Sequence, residues 1–371
     1  MNFTINRDVL SQNLSYVSKA LSNKIQMPGL TGILFNVSKK EIILTASNNE
    51  ISIQTTIKNN FTVVEGGNFL VQGKFLIEII KKLNATDVDF ISFDENTIKI
   101  LAGKSVFTLN CLSIDSFPMI SFDNSDVKFT IDTPNLRQII RKTVFAISNN
   151  ESRVVLTGVS LKAKDNVIEV TATDSFRLAR KKLEFDYNFP EINIVIPGKS
   201  FEELNKILEG NFDIVEIHCS SSKILFKIDN ILFQSRLIEG VFPKIDSLIP
   251  TKYVNKLQFS KEDLTSIIDR VSIFVNLEQS NIIKLSINTN GTVEFTSISN
   301  ELGAAREEAT PISSDINETM QIAFSSKYLS EALRTFDDDK VEVKFTGEIK
   351  PFVITSEKDK NLIQLILPVR A

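Results

Sequence analysis

The sequence has no tryptophan, a single histidine and two cysteines in 371 residues, and each shortage removes a class of chemistry. Cys111 and Cys219 lie far apart with no CxxC spacing. That is too little sulfur for a disulfide framework or a zinc site, so both read as buried free thiols. A Ser-His-Asp site would have to rest on His218, and no GxSxG elbow supports one. His218 stands between Ile217 and Cys219 in an alternating strand, where neighbours point to opposite faces, and it reads as structural. Phosphate-binding glycines are missing too: Gly73-Lys74 and Gly198-Lys199 lack the earlier glycine of a GxxxxGK(S/T) loop, and Gly66-Gly67 is an isolated pair suited to a turn. The run Asp337-Asp338-Asp339 follows a helix and reads as a hydrated turn, not a metal site. No catalytic centre, cofactor or metal is expected. No apolar run approaches ~20 residues and the opening MNFTINRDVL lacks a signal-peptide pattern, so a soluble, cytoplasmic protein is expected.

What is present is a repeat. An alternating strand runs into an amphipathic helix three times: MNFTINRDVLSQNLSYVSKAL, VKFTIDTPNLRQIIRKTVFAI and LQFSKEDLTSIIDRVSIFV. Leu10, Leu136 and Leu264 take equivalent places, 126 and 128 residues apart. A second helix recurs as GKFLIEIIKKL, GKSFEELNKIL and SKYLSEALRTF, with Lys74, Lys199 and Lys327 at spacings of 125 and 128. Phe117-Pro118, Phe242-Pro243 and Leu367-Pro368 close the copies, each proline 125 residues from the last. Asn6, Asp132 or Thr133, and Ser260 are candidate N-caps. Segments such as EIILTASNNEISIQTTI and NVIEVTATDSFRLARKKL alternate with period 2 and read as strand pairs. Each copy of about 125 residues predicts two short helices packed on roughly eight strands, an α+β domain. The expected domains are 1–122, 123–251 and 252–371.

Net charge is −4, which at first sight disfavours nucleic acid, but its distribution is uneven. Helices over 7–24, 73–83 and 133–149 sum to +2, +2 and +3, the last from Arg137, Arg141 and Lys142 unopposed. Those over 198–210, 260–276 and 325–336 sum to −1, −1 and +1. The six together carry +6, leaving −10 elsewhere. Such faces are commonly just solvated; if they bind nucleic acid, the contact is to phosphates and independent of base sequence.

Leu-Thr-Gly (156–158), Thr-Asp-Ser-Phe-Arg-Leu-Ala (173–179), Phe-Pro-Lys-Ile (242–245) and a final Leu-Pro-Val-Arg (367–370) occur in this order, and with them the chain resembles the bacterial replicative sliding clamps, the DNA polymerase III beta subunits. The resemblance runs from Met1 to Ala371. It implies the DNA clamp fold and a homodimer of three-domain subunits joined head to tail into a six-domain ring, a processivity factor without catalysis. Helices would line a hole for duplex DNA, with Lys24, Asn150 and Arg153 at family positions that touch DNA and Lys74, Arg137, Arg141 and Lys199 added from helix placement.

The same resemblance implies a pocket for short peptides of the kind Gln-Leu-x-Leu-Phe, carried by the polymerase III alpha subunit, the clamp loader and repair proteins. It would draw on Leu156, Thr173, Ser175, Phe176, Arg177 and Leu178, on Pro243 and Leu248, and on Tyr328, Ile349, Leu365, Ile366, Leu367, Pro368, Val369 and Arg370. Without the family, those apolar residues read as core and Arg177 as an arginine snorkelling from a strand. Phe176, Ser247, Leu367 and Ser280 depart from residues common in relatives, which bears on peptide preference. Phe107 and Leu109 against Phe274 and Val275 are the expected subunit junction. The competing readings are a structural array of β-rich repeats without a DNA role, and a hydrolase using His218.

Overall fold

Period-2 alternation becomes strand throughout the chain. The segment Ile51–Ile57 buries Ile51, Ile53, Thr55 and Ile57 and leaves the intervening residues partly exposed. The structure is a computed structural model that describes residues 1–22, 27–92, 94, 96–122, 124–125, 127–277 and 281–369.

The first repeat holds β1 (Asn2–Asn6), α1 (Arg7–Val17), β2 (Gly32–Val37), β3 (Ile42–Ser47), β4 (Ile51–Ile57), β5 (Phe61–Glu65), β6 (Gly67–Gln72), α2 (Gly73–Lys82), β7 (Asp87–Ile91), β8 (Thr97–Ala102) and β9 (Ser105–Leu112). The second holds β10 (Val127–Asp132), α3 (Thr133–Thr143), β11 (Gly158–Thr173), β12 (Arg177–Pro197), α4 (Gly198–Ile207), β13 (Ile214–Cys219), β14 (Lys223–Ile228) and β15 (Ile231–Arg236). The third holds β16 (Asn255–Ser260), α5 (Lys261–Val271), α6 (Ile273–Leu277), β17 (Ile282–Ile287), β18 (Val293–Ser299), β19 (Gly303–Ala309), β20 (Ser313–Ile316), β21 (Met320–Ser325), α7 (Ser326–Leu333), β22 (Lys340–Phe345), β23 (Phe352–Thr355) and β24 (Leu362–Ile366).

This is the α+β, helices-on-sheet repeat expected, with two refinements. The first and third repeats carry a strand beyond the eight expected, β5 and β20, which pair along the outer edges of β1 and β16. The helix expected over 260–276 breaks at Ser272 into α5 and α6, and the others end earlier than their apolar periodicity. Asn6 caps α1 by accepting from the Asp8 and Val9 amides, and Ser260 caps α5 by accepting from Asp263.

The chain divides into two compact units that cut across the repeats: Met1–Pro134 with Lys199–Leu237, and Asn135–Gly198 with Ile238–Ala371. Strand pairing across repeat junctions is the reason. In the first unit, β15 of the second repeat pairs with β4 of the first, giving a 13-stranded sheet ordered β10-β13-β14-β15-β4-β3-β2-β6-β9-β8-β7-β1-β5. In the second, β24 of the third repeat pairs with β12 of the second, giving β11-β12-β24-β23-β22-β16-β20, beside a four-stranded sheet β19-β18-β17-β21.

Phenylalanine fills the cores. Phe3 stacks on Phe90 at 4.8 Å and Phe35 on Phe69 at 4.4 Å between ring centroids. Phe324 and Phe345 both pack on Phe352 in the third repeat. His218 is buried on β13, its Nδ1 3.1 Å from the Ser125 carbonyl and its Nε2 2.5 Å from the Glu216 carboxylate. Cys219 is buried and Cys111 half-buried; both are free, and burial pushes their thiols up to about 12 and about 11. No described helix is long and apolar enough to cross a membrane.

Candidate functional site

The turn between β11 and β12 is built by its own side chains. Asp174 Oδ1 accepts from the Phe176 and Arg177 amides at 2.8 and 2.9 Å, and Thr173 Oγ1 donates to the Arg177 carbonyl at 2.6 Å. These bonds hold Ser175 at φ 79°, a left-handed conformation unusual for a residue other than glycine. The turn aims Phe176 outward, 61% exposed, and Arg177 inward, 9% exposed.

Arg177 joins the second repeat to the third. Its Nε donates to Asp174 Oδ2 at 3.0 Å, its Nη1 to Glu331 of α7, and its Nη2 to the Phe145 carbonyl at 2.7 Å. The guanidinium also lies 4.5 Å from the Tyr328 ring centroid and 5.2 Å from that of Phe145. Arg177 is therefore a brace with every nitrogen engaged, not an open contact in a pocket wall or a snorkelling surface arginine. Burial, with the charge of Asp174, raises the Tyr328 hydroxyl above the usual tyrosine range, and Arg177 opposes that shift. Asp174, Glu331 and Phe145 were not among the expected site residues; only the Thr-Asp-Ser turn signal hinted at the first.

Beneath the turn, Leu156, Leu178 and Leu365 are buried with Phe242, Ile245 and Val353, and Leu367 packs half-buried against them. The Leu367 amide donates to the Phe176 carbonyl at 2.9 Å and the Val369 amide to the Ala323 carbonyl at 2.7 Å, which ties the tail alongside the turn. Phe176, Pro243, Leu248, Ile349 and Val369 are exposed, and Pro368 is half-exposed. A cavity of about 460 Å³ opens beside Leu248, lined also by Pro250, Tyr253, Thr346 and Pro351. A buried apolar floor, an exposed apolar rim and a polar brace suit the capture of leucine and phenylalanine side chains. Ile366 does not join them: β24 alternates, so Ile366 packs into the third-repeat core while Leu365 faces this floor. Arg370 and Ser280 lie outside the described residues.

Three descriptions of one family match the chain in order: DNA polymerase III beta subunit, N-terminal domain, over 1–121; central domain, over 130–244; and C-terminal domain, over 246–370. The chain belongs to the DNA polymerase III beta subunit family. A beta sliding clamp of Staphylococcus epidermidis is 38% identical over 377 residues, covering 100% of this chain and 99% of that protein. The crystal structure of a DNA polymerase sliding clamp from Bacillus subtilis is 36% identical with a TM-score of 0.95, covering 100% of this chain and 99% of that one. A sliding clamp from Bartonella birtlesii, solved bound to griselimycin, is 26% identical with a TM-score of 0.91 and full coverage of both chains. The DNA clamp fold that the resemblance implied is thus the fold of this chain, shared with these sliding-clamp structures.

The basic residues expected of such a clamp are not equivalent. Lys74 and Lys199 are exposed in the first turns of α2 and α4, where helix N-termini add to their positive field. Asn150 caps the 3-10 stretch Glu151–Thr157 through the Ser152 amide, and exposed Arg153 donates to Ser175 Oγ at 3.3 Å. Arg137 is half-buried and has a partner of its own. The charge of +3 read as unopposed on the second-repeat helix is corrected. Arg141 pairs with Asp337 at 2.7 Å, and Lys142, 1% exposed, with Asp337 and Asp359 at 3.0 and 2.7 Å. Lys24 lies outside the described residues.

At the expected junction, Phe107 is exposed on β9, Leu109 and Phe274 are half-buried, and Val275 is 1% exposed inside the third-repeat core. Val275 therefore supports that surface from below rather than presenting a side chain, because the α6 turn directs it inward and Ile273 outward. Two features escaped the sequence reading: the outer edges of β19 and of β9 over 105–110 have no strand partner among the described residues.

Proposed function

We infer that this chain is a DNA polymerase processivity factor in which two copies close head to tail around duplex DNA. Its three clamp domains would span 1–122, 123–251 and 252–371. One observation carries the reading. At each junction inside the chain, the fourth strand of one repeat pairs with the last strand of the next: β4 with β15, and β12, which includes that position, with β24. Applied once more, the rule calls for β19 to pair with a β9, and the outer edges of both are open among the described residues. Phe107 and Leu109 ride on β9, so a second copy would cover them while satisfying both edges.

The clamp would hold DNA through water and phosphate contacts, with Lys24, Lys74, Arg137, Arg141, Asn150, Arg153 and Lys199 as the candidate contributors, Lys74, Lys199 and Arg153 being among those exposed. Binding of this kind carries no catalytic step. The second-unit site would take clamp-binding peptides of polymerase, clamp loader and repair proteins, their apolar side chains meeting Leu367, Val369, Phe176 and Leu248 over the Leu156–Leu178–Leu365 floor. A ligand-bound structure of the Bartonella birtlesii clamp supports a ligand site on the fold. The setting would be the cytoplasm.

Light scattering on the full chain and on a Phe107→Glu/Leu109→Glu variant, with retention on a nicked circular duplex, tests the closure. A dimer retained on the circle, and a monomeric variant that slides off, is the expected result. A parent chain that stays monomeric at micromolar concentration would sink it.

A further inference from the structure

The junction of the first and second repeats repeats the geometry of the peptide-site turn residue for residue. Asn48 Oδ1 accepts from the Glu50 and Ile51 amides at 3.1 and 2.8 Å, as Asp174 Oδ1 does from Phe176 and Arg177. Asn49 sits at φ 77°, Ser175 at φ 79°. The Arg236 amide donates to the Glu50 carbonyl at 2.9 Å, as the Leu367 amide donates to Phe176 at the same distance. Ser52 pairs with Gln234 where Leu178 pairs with Leu365. Leu30-Thr31-Gly32 stands for Leu156-Thr157-Gly158, and Pro118 for Pro243. Gly29 is forced by the close approach of the two flanking turns, since a Cβ there would meet the Ser116 carbonyl at 2.1 Å.

The surface this geometry presents has opposite chemistry. Where the peptide site has Leu178, Leu365 and Leu367, this junction has Ser52, Gln234 and Arg236. A cleft of about 100 Å³ lies over them, walled by Ser47, Lys223, Pro118 and Met119. A second lobe of about 290 Å³ shares Asn49 and Pro118 and is lined by Met27, Leu30 and Phe117. Lys223 and Arg236 are directly opposite on β14 and β15, so their side chains share a face. Like charges at that separation repel. Neither side chain has an ion pair with a described residue; Glu50 is the one acid lining the cleft and Asp115 lines the adjoining lobe, so the positive charge is local to the Lys223–Arg236 end of the groove. Met27 and Met119 are exposed at the rim, and methionine adapts to varied apolar partners.

We propose that this groove is a second peptide site, one that takes an extended segment with an acidic side chain next to an apolar one. The carboxylate meets Lys223 and Arg236, and the apolar side chain enters the lobe at Met27, Leu30 and Phe117. A peptide is favoured over nucleic acid because the groove shares the backbone frame of the peptide site, and its lobes fit side chains rather than a duplex backbone. The inference rests on the peptide reading of that first site through the shared frame.

Fluorescence anisotropy on the full chain tests it with two labelled probes, Gln-Leu-Ser-Leu-Phe and Gly-Leu-Asp-Asp-Leu, plus an Asn-for-Asp twin of the second. A Lys223→Gln/Arg236→Gln variant keeps surface polarity and leaves every described hydrogen bond of these backbones intact. The acidic probe is expected to bind saturably, and about tenfold more weakly to the variant or as its Asn twin, the size of losing a charge-assisted hydrogen bond. The variant should bind Gln-Leu-Ser-Leu-Phe unchanged, and Leu367→Ala should do the reverse. Absent saturable binding of the acidic probe, or equal binding by the variant, would each overturn the proposal. Failure of Gln-Leu-Ser-Leu-Phe alone would strike the first site and leave the second standing.

Discussion

Replacing Arg177 with alanine removes one guanidinium and disconnects three partners. Asp174 keeps its two backbone donors, and Glu331, whose side chain is 27% exposed, can regain water. The Phe145 carbonyl loses its donor, and the cation leaves the Tyr328 and Phe145 rings. Breaking a buried ion pair costs about 3–5 kcal/mol; the partly exposed partner puts this case near the lower end, about 3 kcal/mol. For a unit of roughly 200 residues, each kcal/mol moves Tm by ~2–4 °C, so the transition of the unit holding Arg177 should fall by ~6–12 °C. Differential scanning calorimetry reads that shift. Ultraviolet titration supplies an independent readout: Arg177 opposes the upward shift of the Tyr328 hydroxyl, so without it Tyr328 should ionise at still higher pH, with Tyr328→Phe as the blank. Arg177→Lys keeps the charge but not the three-way fork and should fall between parent and alanine. A melting point within ~2 °C of the parent for Arg177→Ala, an amount below one kcal/mol, would refute the bracing role.

Other residues of the site separate stability from binding. Leu365→Ala should cost about 2–5 kcal/mol by opening the buried floor, whereas half-exposed Leu367→Ala should lower peptide affinity with a much smaller change in Tm. Burial works to raise the Asp359 carboxyl, but hydrogen bonds from Lys142 and Lys181 outweigh it and hold the carboxyl below its usual range. Its stabilisation is therefore full above the ordinary carboxylate range and lost as pH falls through the depressed value, so Asp359→Asn should flatten the acid limb of Tm against pH. Lys74→Glu and Lys199→Glu should leave Tm unchanged and reduce the salt slope of DNA binding by about one for each phosphate no longer neutralised. Arg141→Gln should shift Tm instead, through its ion pair with Asp337, and DNA retention that falls without any change in Tm would count against that assignment.

Much of the architecture is legible without coordinates because it is encoded locally. Alternation fixes which face of β4 is buried, Asn6 and Ser260 mark helix starts through bonds two or three residues away, and landmarks near 125 residues apart reveal the repeat. The scarcity of histidine, cysteine and glycine motifs likewise needs no fold to be read, and the family resemblance pointed to the turn at 173–178. Partners distant in the chain are another matter. Arg177 finds Glu331 across 154 positions, and Lys142 finds Asp359 across 217. Neither pairing follows from composition or period, so a charge count made helix by helix overstated what α3 offers to solvent. Only the register of β24 on β12 decides that Leu365 faces the site floor while Ile366 faces another core. Only the register of β15 on β4 sets Arg236 beside Glu50 in a polar copy of that site. Local periodicity is dictated by backbone geometry within a few residues, whereas which faces meet depends on strand pairing between segments that the sequence keeps far apart.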